Sequence, residues 1–365
     1  MRISLLSKFL LLSITSFFLF SIYNGEAQSI TSKIDSLLVH AFDVHGPGGT
    51  FLVAKNGQVL YRKAFGNANL ELDVPMRPDH VFNIGSMTKQ FTAIGILMLE
   101  EQGLLSLTDE ITKYIPDYPT QGTKITIHHL LTHTSGIRSF TNVKSIRDLI
   151  KEDIAPKELI NLFSVEPMDF LPGEEFKYNN SGYFILGYII EVVSGKPYSE
   201  FIEEQLFQKI NMNASRYASH GAVIKNRASG YHQRDNYINN RYISYTLPYA
   251  SGSLMSTVDD MLKWQEAIKN NLLISEATTQ KVFTNYTLNN GESINYGYGW
   301  HIRELNGMPS REHGGSIFGY KSMAVYVSQE DLYVGGLTNC DCVSPTKITR
   351  EIAALVLEST TDIRN

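Results

Sequence analysis

The stretch Asn83-Ile84-Gly85-Ser86-Met87-Thr88-Lys89-Gln90-Phe91 sets a serine and a lysine three residues apart at the head of a helical pattern. Phe91, Ile94, Leu97 and Met98 recur at helical spacing and Gly103 follows the last turn, so the spacing predicts a helix opening near Ser86. On one face of that helix Ser86 and Lys89 lie one above the other. An amine then reaches a hydroxyl at a helix end whose free N–H groups carry partial positive charge. This arrangement suits a nucleophilic serine; the plain alternative for Ser86 is a helix cap. Spacing alone does not decide between them. Ser344-Pro345-Thr346-Lys347 repeats the pattern, and there capping before a proline-led helix explains the serine fully.

Two further groups of residues could share a site with Ser86. Tyr178-Asn179-Asn180-Ser181-Gly182-Tyr183 follows the turn Leu171-Pro172-Gly173 and leads into an apolar helix, so Tyr178 and Asn180 can point into a cleft. Tyr237-Ile238-Asn239 carries the same triplet without that setting. His313-Gly314-Gly315-Ser316 falls on a C-terminal strand, where two glycines weaken the strand unless something must approach its backbone closely. His129 and His133 stand four apart beside His128, but no Glu completes an H-E-x-x-H pattern. They read as packing and turn residues, and neither a metal nor a cofactor is expected. A Gly-x-Ser-x-Gly elbow and a glycine-rich phosphate loop are both missing from the sequence.

Strand patterns at both chain ends must position these groups. Ile30, Ile34, Leu37, Leu38 and Ala41 predict an amphipathic helix. Phe51 to Lys55 and Val59 to Phe65 flank Asn56-Gly57, a strong hairpin signal. A short helix is expected over Leu159 to Phe163 and a longer apolar one over Tyr183 to Val193, with further helices over Tyr198 to Lys209 and Val258 to Lys269, the last capped by Ser256-Thr257. Arg311 to Ser316, Lys321 to Ser328 and Leu332 to Leu337 read as strands, and Pro345 to Leu357 as a final helix. The fold class is therefore α/β in the α+β sense: one antiparallel sheet from both chain ends, flanked by helices, with an inserted mainly helical lobe. The sheet lobe takes about 28–85 and 300–365, and the helical lobe about 86–299. A cleft between them is the place for chemistry.

Composition narrows the function classes. At 365 residues, 43% hydrophobic and 19% charged, the chain can build one large core or two lobes. A net charge of −5 without a basic stripe argues against nucleic acid as a partner. Arg2 and Lys8 before the apolar run Phe9 to Ile22, with Gly25-Glu26-Ala27 after it, read as a signal peptide over 1–27. A secreted or periplasmic protein without stable membrane insertion after cleavage is expected, with 28–365 as the working domain. Cys340 and Cys342, two residues apart, read as packing residues rather than a bridge.

In this order, the Ser86-Lys89, Tyr178-Asn180 and His313-Gly314-Gly315 elements resemble the serine β-lactamase and penicillin-binding-protein superfamily. More narrowly they resemble its class C β-lactamase and DD-peptidase branch, which has the β-lactamase/transpeptidase-like fold and includes esterases and D-amino-acid peptidases. Leu130-Leu131-Thr132-His133-Thr134-Ser135-Gly136 and Tyr296-Gly297-Tyr298-Gly299-Trp300 add to the likeness, which covers nearly the whole mature chain. The resemblance implies that Ser86 is acylated, that Lys89 shuttles its proton, and that Tyr178 acts as base with a pKa depressed by Lys89. It implies that Asn180 bonds the substrate amide or the Lys89 head, that His313 contacts substrate, and that the Ser86 and Ser316 N–H groups hold the oxyanion. Gly314 and Gly315 would let substrate backbone lie along the strand edge. Many β-lactamases have Lys-Thr-Gly where this chain has His313-Gly314-Gly315, so a fixed cation and a hydroxyl that grip a carboxylate are missing. The expected activity is hydrolysis of D-amino-acid or cell-wall peptides, or of esters, with weak or no β-lactamase action. The alternatives are a true class C-like β-lactamase and a non-catalytic sensor that binds penicillin or peptidoglycan.

Overall fold

The computed structural model describes residues 30–361, so the signal segment lies outside the described residues. Six strands form the main sheet: β1 (Gly49–Lys55), β2 (Gln58–Phe65), β3 (His301–Leu305), β4 (Met308–Ile317), β5 (Tyr320–Val327) and β6 (Leu332–Thr338). Their order is β3-β4-β5-β6-β1-β2, and every neighbouring pair is antiparallel. The two ends of the chain meet where β1 pairs with β6, from Gly49 opposite Thr338 to Lys55 opposite Leu332. Asn56 and Gly57 turn β1 into β2 with φ of +50° and +73°, the left-handed values that this residue pair tolerates. The edge strand β3 escapes the hydrophobic pattern because Arg303 and Glu304 face water.

Alternating side chains send the sheet's two faces into different cores. Phe51, Val53, Val325, Val327 and Val334 pack against helix α1 (30–41) and helix α5 (Pro345–Thr361) through Ile34, Leu38, Ile352 and Val356. Leu52, Ala54, Ala324, Tyr326 and Tyr333 face the larger core. That core holds α2 (Thr88–Glu101), α3 (Asn180–Ser194) and α4 (Val258–Lys269). Every residue of α2 from Thr88 to Leu99 is buried, so this helix is the axis between the sheet and the helical segments. Each large apolar side chain removed from water there contributes roughly 1.5–3 kcal/mol.

Local signals fix the ends of α3 and α4. The Asn179 side chain accepts from the Gly182 N–H to start α3, and Gly195 ends it at φ +70°. Thr257 caps α4 through the Asp260 N–H. α4 lies against β1 and β6, with the pairs Arg62–Asp259 and Lys269–Asp331 crossing from helix to sheet lobe. A three-strand ribbon of Phe82–Asn83, Leu254–Ser256 and Arg216–Tyr217 holds the segment that enters Ser86.

The reading of Cys340 and Cys342 as unbridged packing residues is overturned: the two form a disulfide. Their Cα atoms are 5.1 Å apart, inside the range a disulfide spans, because the chain turns just after β6 instead of continuing as a strand.

Candidate active site

Ser86 sits in the turn Gly85–Met87, which runs directly into α2. It caps neither element, so the capping alternative falls. Lys89, one turn later, is completely buried; its Nζ donates to Asn180 Oδ1 at 2.8 Å and the Ser251 carbonyl at 2.9 Å and lies 3.2 Å from Ser86 Oγ. No carboxylate pairs with this amine among the described residues, and burial pushes its pKa well below 10.5. The Ser251 carbonyl, which sequence inspection did not single out, comes from a turn in which Tyr249 has φ +43°. Such local geometry leaves no residue-type signature.

Tyr178 brings its ring to 4.8 Å from Lys89 Nζ. Its hydroxyl is buried and has no hydrogen-bond partner within the chain. Burial raises the phenol's pKa far above 10; the nearby Ser86 hydroxyl, outside good hydrogen-bond geometry, only moderates the rise. This corrects the expectation that Lys89 would depress Tyr178. Burial of the phenol itself is the larger effect.

Behind Tyr178 lies a layer of rings. The His133 ring packs tilted at 41° with its centroid 4.4 Å from that of Tyr178, and Tyr183 and Tyr296 lie around it. His133 Nδ1 accepts the Asn179 N–H at 3.0 Å, so its Nε2 carries the proton. That Nε2–H is buried without a partner. His313 is buried in the same layer, 6.0 Å from the Tyr178 ring, rather than on the wall of the cleft. Its Nδ1–H donates to the Gly314 carbonyl at 2.6 Å and its Nε2 accepts from Tyr296 at 3.2 Å, which fixes a neutral imidazole. Burial, with His301 and Lys89 nearby, pushes its pKa well down. The remaining imidazoles of the helix-turn stretch also have structural duties. His129 completes a capping box with Thr126, and His128 bonds the Tyr298 hydroxyl at 2.8 Å.

The glycines of β4 serve the protein before any substrate. A Cβ on Gly315 would stand 1.9 Å from the Ile84 carbonyl, so this glycine lets β4 press against the nucleophile turn. The expectation that Gly315 makes room for substrate backbone is thereby corrected. A Cβ on Gly314 would lie 3.3 Å from the Ser322 carbonyl oxygen and 3.4 Å from Met323 Sδ, a tight fit but less severe than at Gly315. Gly85, at φ +52°, meets the Ser316 nitrogen so closely that a Cβ would lie 2.7 Å from it. The Ser86 and Ser316 backbones thus adjoin at one end of a cavity of about 460 Å³. Ser86, Asn180, Ser251 and Ser316 line it, with Phe140, Ile146, Ile243, Leu247 and Phe318 as apolar walls. Tyr178 and His313 stand behind that lining.

The comparisons with known proteins agree with this geometry. The Beta-lactamase family model matches residues 34–357. The chain belongs to that family. It is accordingly a serine hydrolase of the β-lactamase and penicillin-binding-protein superfamily. It is 32% identical over 322 residues to penicillin-binding protein 4* of Bacillus subtilis (strain 168), which covers 82% of this chain and 69% of that one. The octameric penicillin-binding protein homologue from Pyrococcus abyssi superposes with TM-score 0.79 at 30% identity, over 90% of this chain and 77% of the other. A penicillin-binding protein from Bacillus halodurans gives TM-score 0.75 at 28% identity, over 91% and 98%.

Proposed function

We propose that this protein is an exported hydrolase that acts through an acyl-enzyme on Ser86, on D-amino-acid or cell-wall peptides or on esters, with weak or no β-lactamase activity. The observation that carries the reading is the buried Lys89 amine, held by Asn180 and Ser251 against the Ser86 hydroxyl at the floor of the cavity. Burial lowers the pKa of the Lys89 amine and raises that of the Tyr178 phenol, which favours the amine over the phenol as the proton acceptor. Lys89 Nζ therefore takes the Ser86 proton as Oγ bonds the substrate carbonyl carbon. The carbonyl electrons move to oxygen, facing the Ser86 and Ser316 N–H groups. When the tetrahedral species collapses, the leaving group departs with a proton from the Lys89 ammonium, relayed by the Tyr178 hydroxyl. Water then attacks the acyl ester, giving its proton to Lys89, and Ser86 Oγ leaves and takes that proton back from the Lys89 ammonium. Asn180, whose Oδ1 is engaged by Lys89, turns its amide N–H groups toward the substrate carbonyl or amide.

The cavity walls support the substrate class. They are mostly apolar, and the neutral, buried His313 supplies no cation at the position where many β-lactamases hold a lysine. Export is supported by the Phe9 to Ile22 run behind Arg2 and Lys8. Among the described residues, no helix is long and apolar enough to cross a membrane. A fluorescent penicillin or a fluorophosphonate should label the protein, and Ser86→Ala should abolish labelling. A folded protein that neither reagent labels would end the acyl-enzyme reading. Nitrocefin, acyl esters and D-Ala-D-Ala peptides, assayed side by side, assign the substrate; nitrocefin turnover above the others would favour a true β-lactamase.

A further inference from the structure

Only two charged side chains line the Ser86 cavity among the described residues, Arg147 and Asp341. Asp341 is held through both its backbone and its carboxylate. It stands between the two cysteines of the Cys340–Cys342 disulfide, so the ring they close brackets its own backbone. The Cys342 N–H donates to Cys340 Sγ at 3.1 Å, and the Asp341 N–H to the Tyr231 carbonyl at 3.3 Å. The carboxylate is bonded as well: Asp341 Oδ2 lies 2.5 Å from His232 Nδ1. The other ring nitrogen settles the charge of that pair. His232 Nε2 accepts the Arg241 N–H at 3.3 Å, so the single imidazole proton is on Nδ1 and is donated to Asp341. The histidine is a neutral strut, and Asp341 keeps its negative charge. About a third of its side chain remains exposed, and Asp341 lines both the Ser86 cavity and a neighbouring pocket that it shares with Arg234 and Arg241.

We propose that Asp341 is a specificity-determining residue of the Ser86 site, receiving an ammonium group on the acyl donor and disfavouring a carboxylate there. The inference rests on the acyl-enzyme reading and names the charge of the substrate it takes. A carboxylate whose backbone is ringed by a disulfide and whose Oδ2 is tied to a neutral imidazole loses little freedom on pairing, so its second oxygen is preorganised for a cation. The ammonium has two sources in an acyl donor, the α-amine of an amino acid or an amine further along the chain.

The test uses four 4-methylumbelliferyl esters of one chain length: hexanoate, 6-aminohexanoate, D-2-aminohexanoate and the adipate half-ester. Each kcat/KM is read as a ratio to hexanoate. In Asp341→Asn the ratio for at least one ammonium ester should fall about tenfold to a hundredfold, the loss of one charge-assisted contact. The adipate ratio should rise. Which ammonium ester responds tells the α-amine from the remote one. The double variant Cys340→Ser/Cys342→Ser, which keeps the aspartate, should lose part of the same discrimination. Ratios that move together, or that do not move in Asp341→Asn while hexanoate is still hydrolysed, overturn the inference and leave the acyl-enzyme reading standing. Hexanoate hydrolysis that survives Ser86→Ala, or that wild-type protein lacks altogether, overturns both.

Discussion

Replacing Lys89 with Met keeps most of the side chain's length and removes only the amine, so it isolates what that nitrogen does. The catalytic consequence follows from its contact with Ser86 Oγ: without an acceptor for the serine proton, kcat/KM should fall about 10²–10⁴-fold, or roughly 3–5 kcal/mol of barrier. The stability consequence has two opposed parts. Asn180 Oδ1 and the Ser251 carbonyl each lose their 2.8–2.9 Å donor, at about 1–3 kcal/mol for each group left unsatisfied. Against that, the wild type carries a buried amine whose folded pKa lies well below its unfolded value of 10.5. Between those two pKa values the unfolded chain binds a proton that the folded one does not, so this group's destabilising effect is largest at low pH. It fades as pH rises towards 10.5. Wild-type stability should therefore rise relative to Lys89→Met as pH goes from neutral to about 10, the upper limit being set by the ordinary lysine value. Urea unfolding of both proteins at several pH values measures the difference, and a 4-methylumbelliferyl ester gives the rate. A difference that stays flat over that window would mean that Lys89 is charged in the folded protein, which refutes its role as the resting base. Undiminished ester hydrolysis by the variant would remove Lys89 from proton transfer altogether.

Tyr178→Phe should lose about 10–100-fold in kcat, less than Lys89→Met, because the phenol relays a proton that it does not initially accept; a larger loss than in Lys89→Met would restore Tyr178 as the base. Gly315→Ala forces a Cβ to within 1.9 Å of the Ile84 carbonyl and should destabilise the fold by about 2 kcal/mol or more, seen as a lower Tm together with lost acylation. Unchanged Tm and labelling would show that β4 can move off the nucleophile turn freely. Arg147→Gln removes the only cation lining the cavity among the described residues, so KM for the adipate half-ester should rise several-fold while that for hexanoate changes less. Equal changes for both esters would deny Arg147 a part in carboxylate binding.

The glycines of β4 show how one sequence feature can be legible yet misassigned. Two glycines on a strand mark a close approach, and that inference from the sequence holds at Gly315. What approaches is the protein's own Ile84 carbonyl, a contact between residues more than two hundred positions apart that no local pattern encodes. Tyr178 is a similar case. Its type and its turn before α3 marked it, but its protonation depends on how deeply Lys89, His133 and Tyr296 enclose it.

The sequence by itself determined the architecture and the nucleophile's neighbourhood. Alternating apolar runs at both chain ends specify strands that need each other, since neither set alone makes more than part of a sheet. The Ser86-Lys89 spacing places an amine over a hydroxyl wherever that segment is helical. The tertiary structure decided the charges. Whether Lys89 is an amine or an ammonium depends on complete burial beside Asn180 and Ser251. Whether His313 serves a substrate or the core depends on its partners, Gly314 and Tyr296. The bridging of Cys340 and Cys342, and the fixed Asp341 between them at the cavity rim, depend on how the chain turns after β6. Local periodicity reads the backbone's short-range preferences, whereas protonation and bridging follow from the groups that distant segments bring together in a place without water.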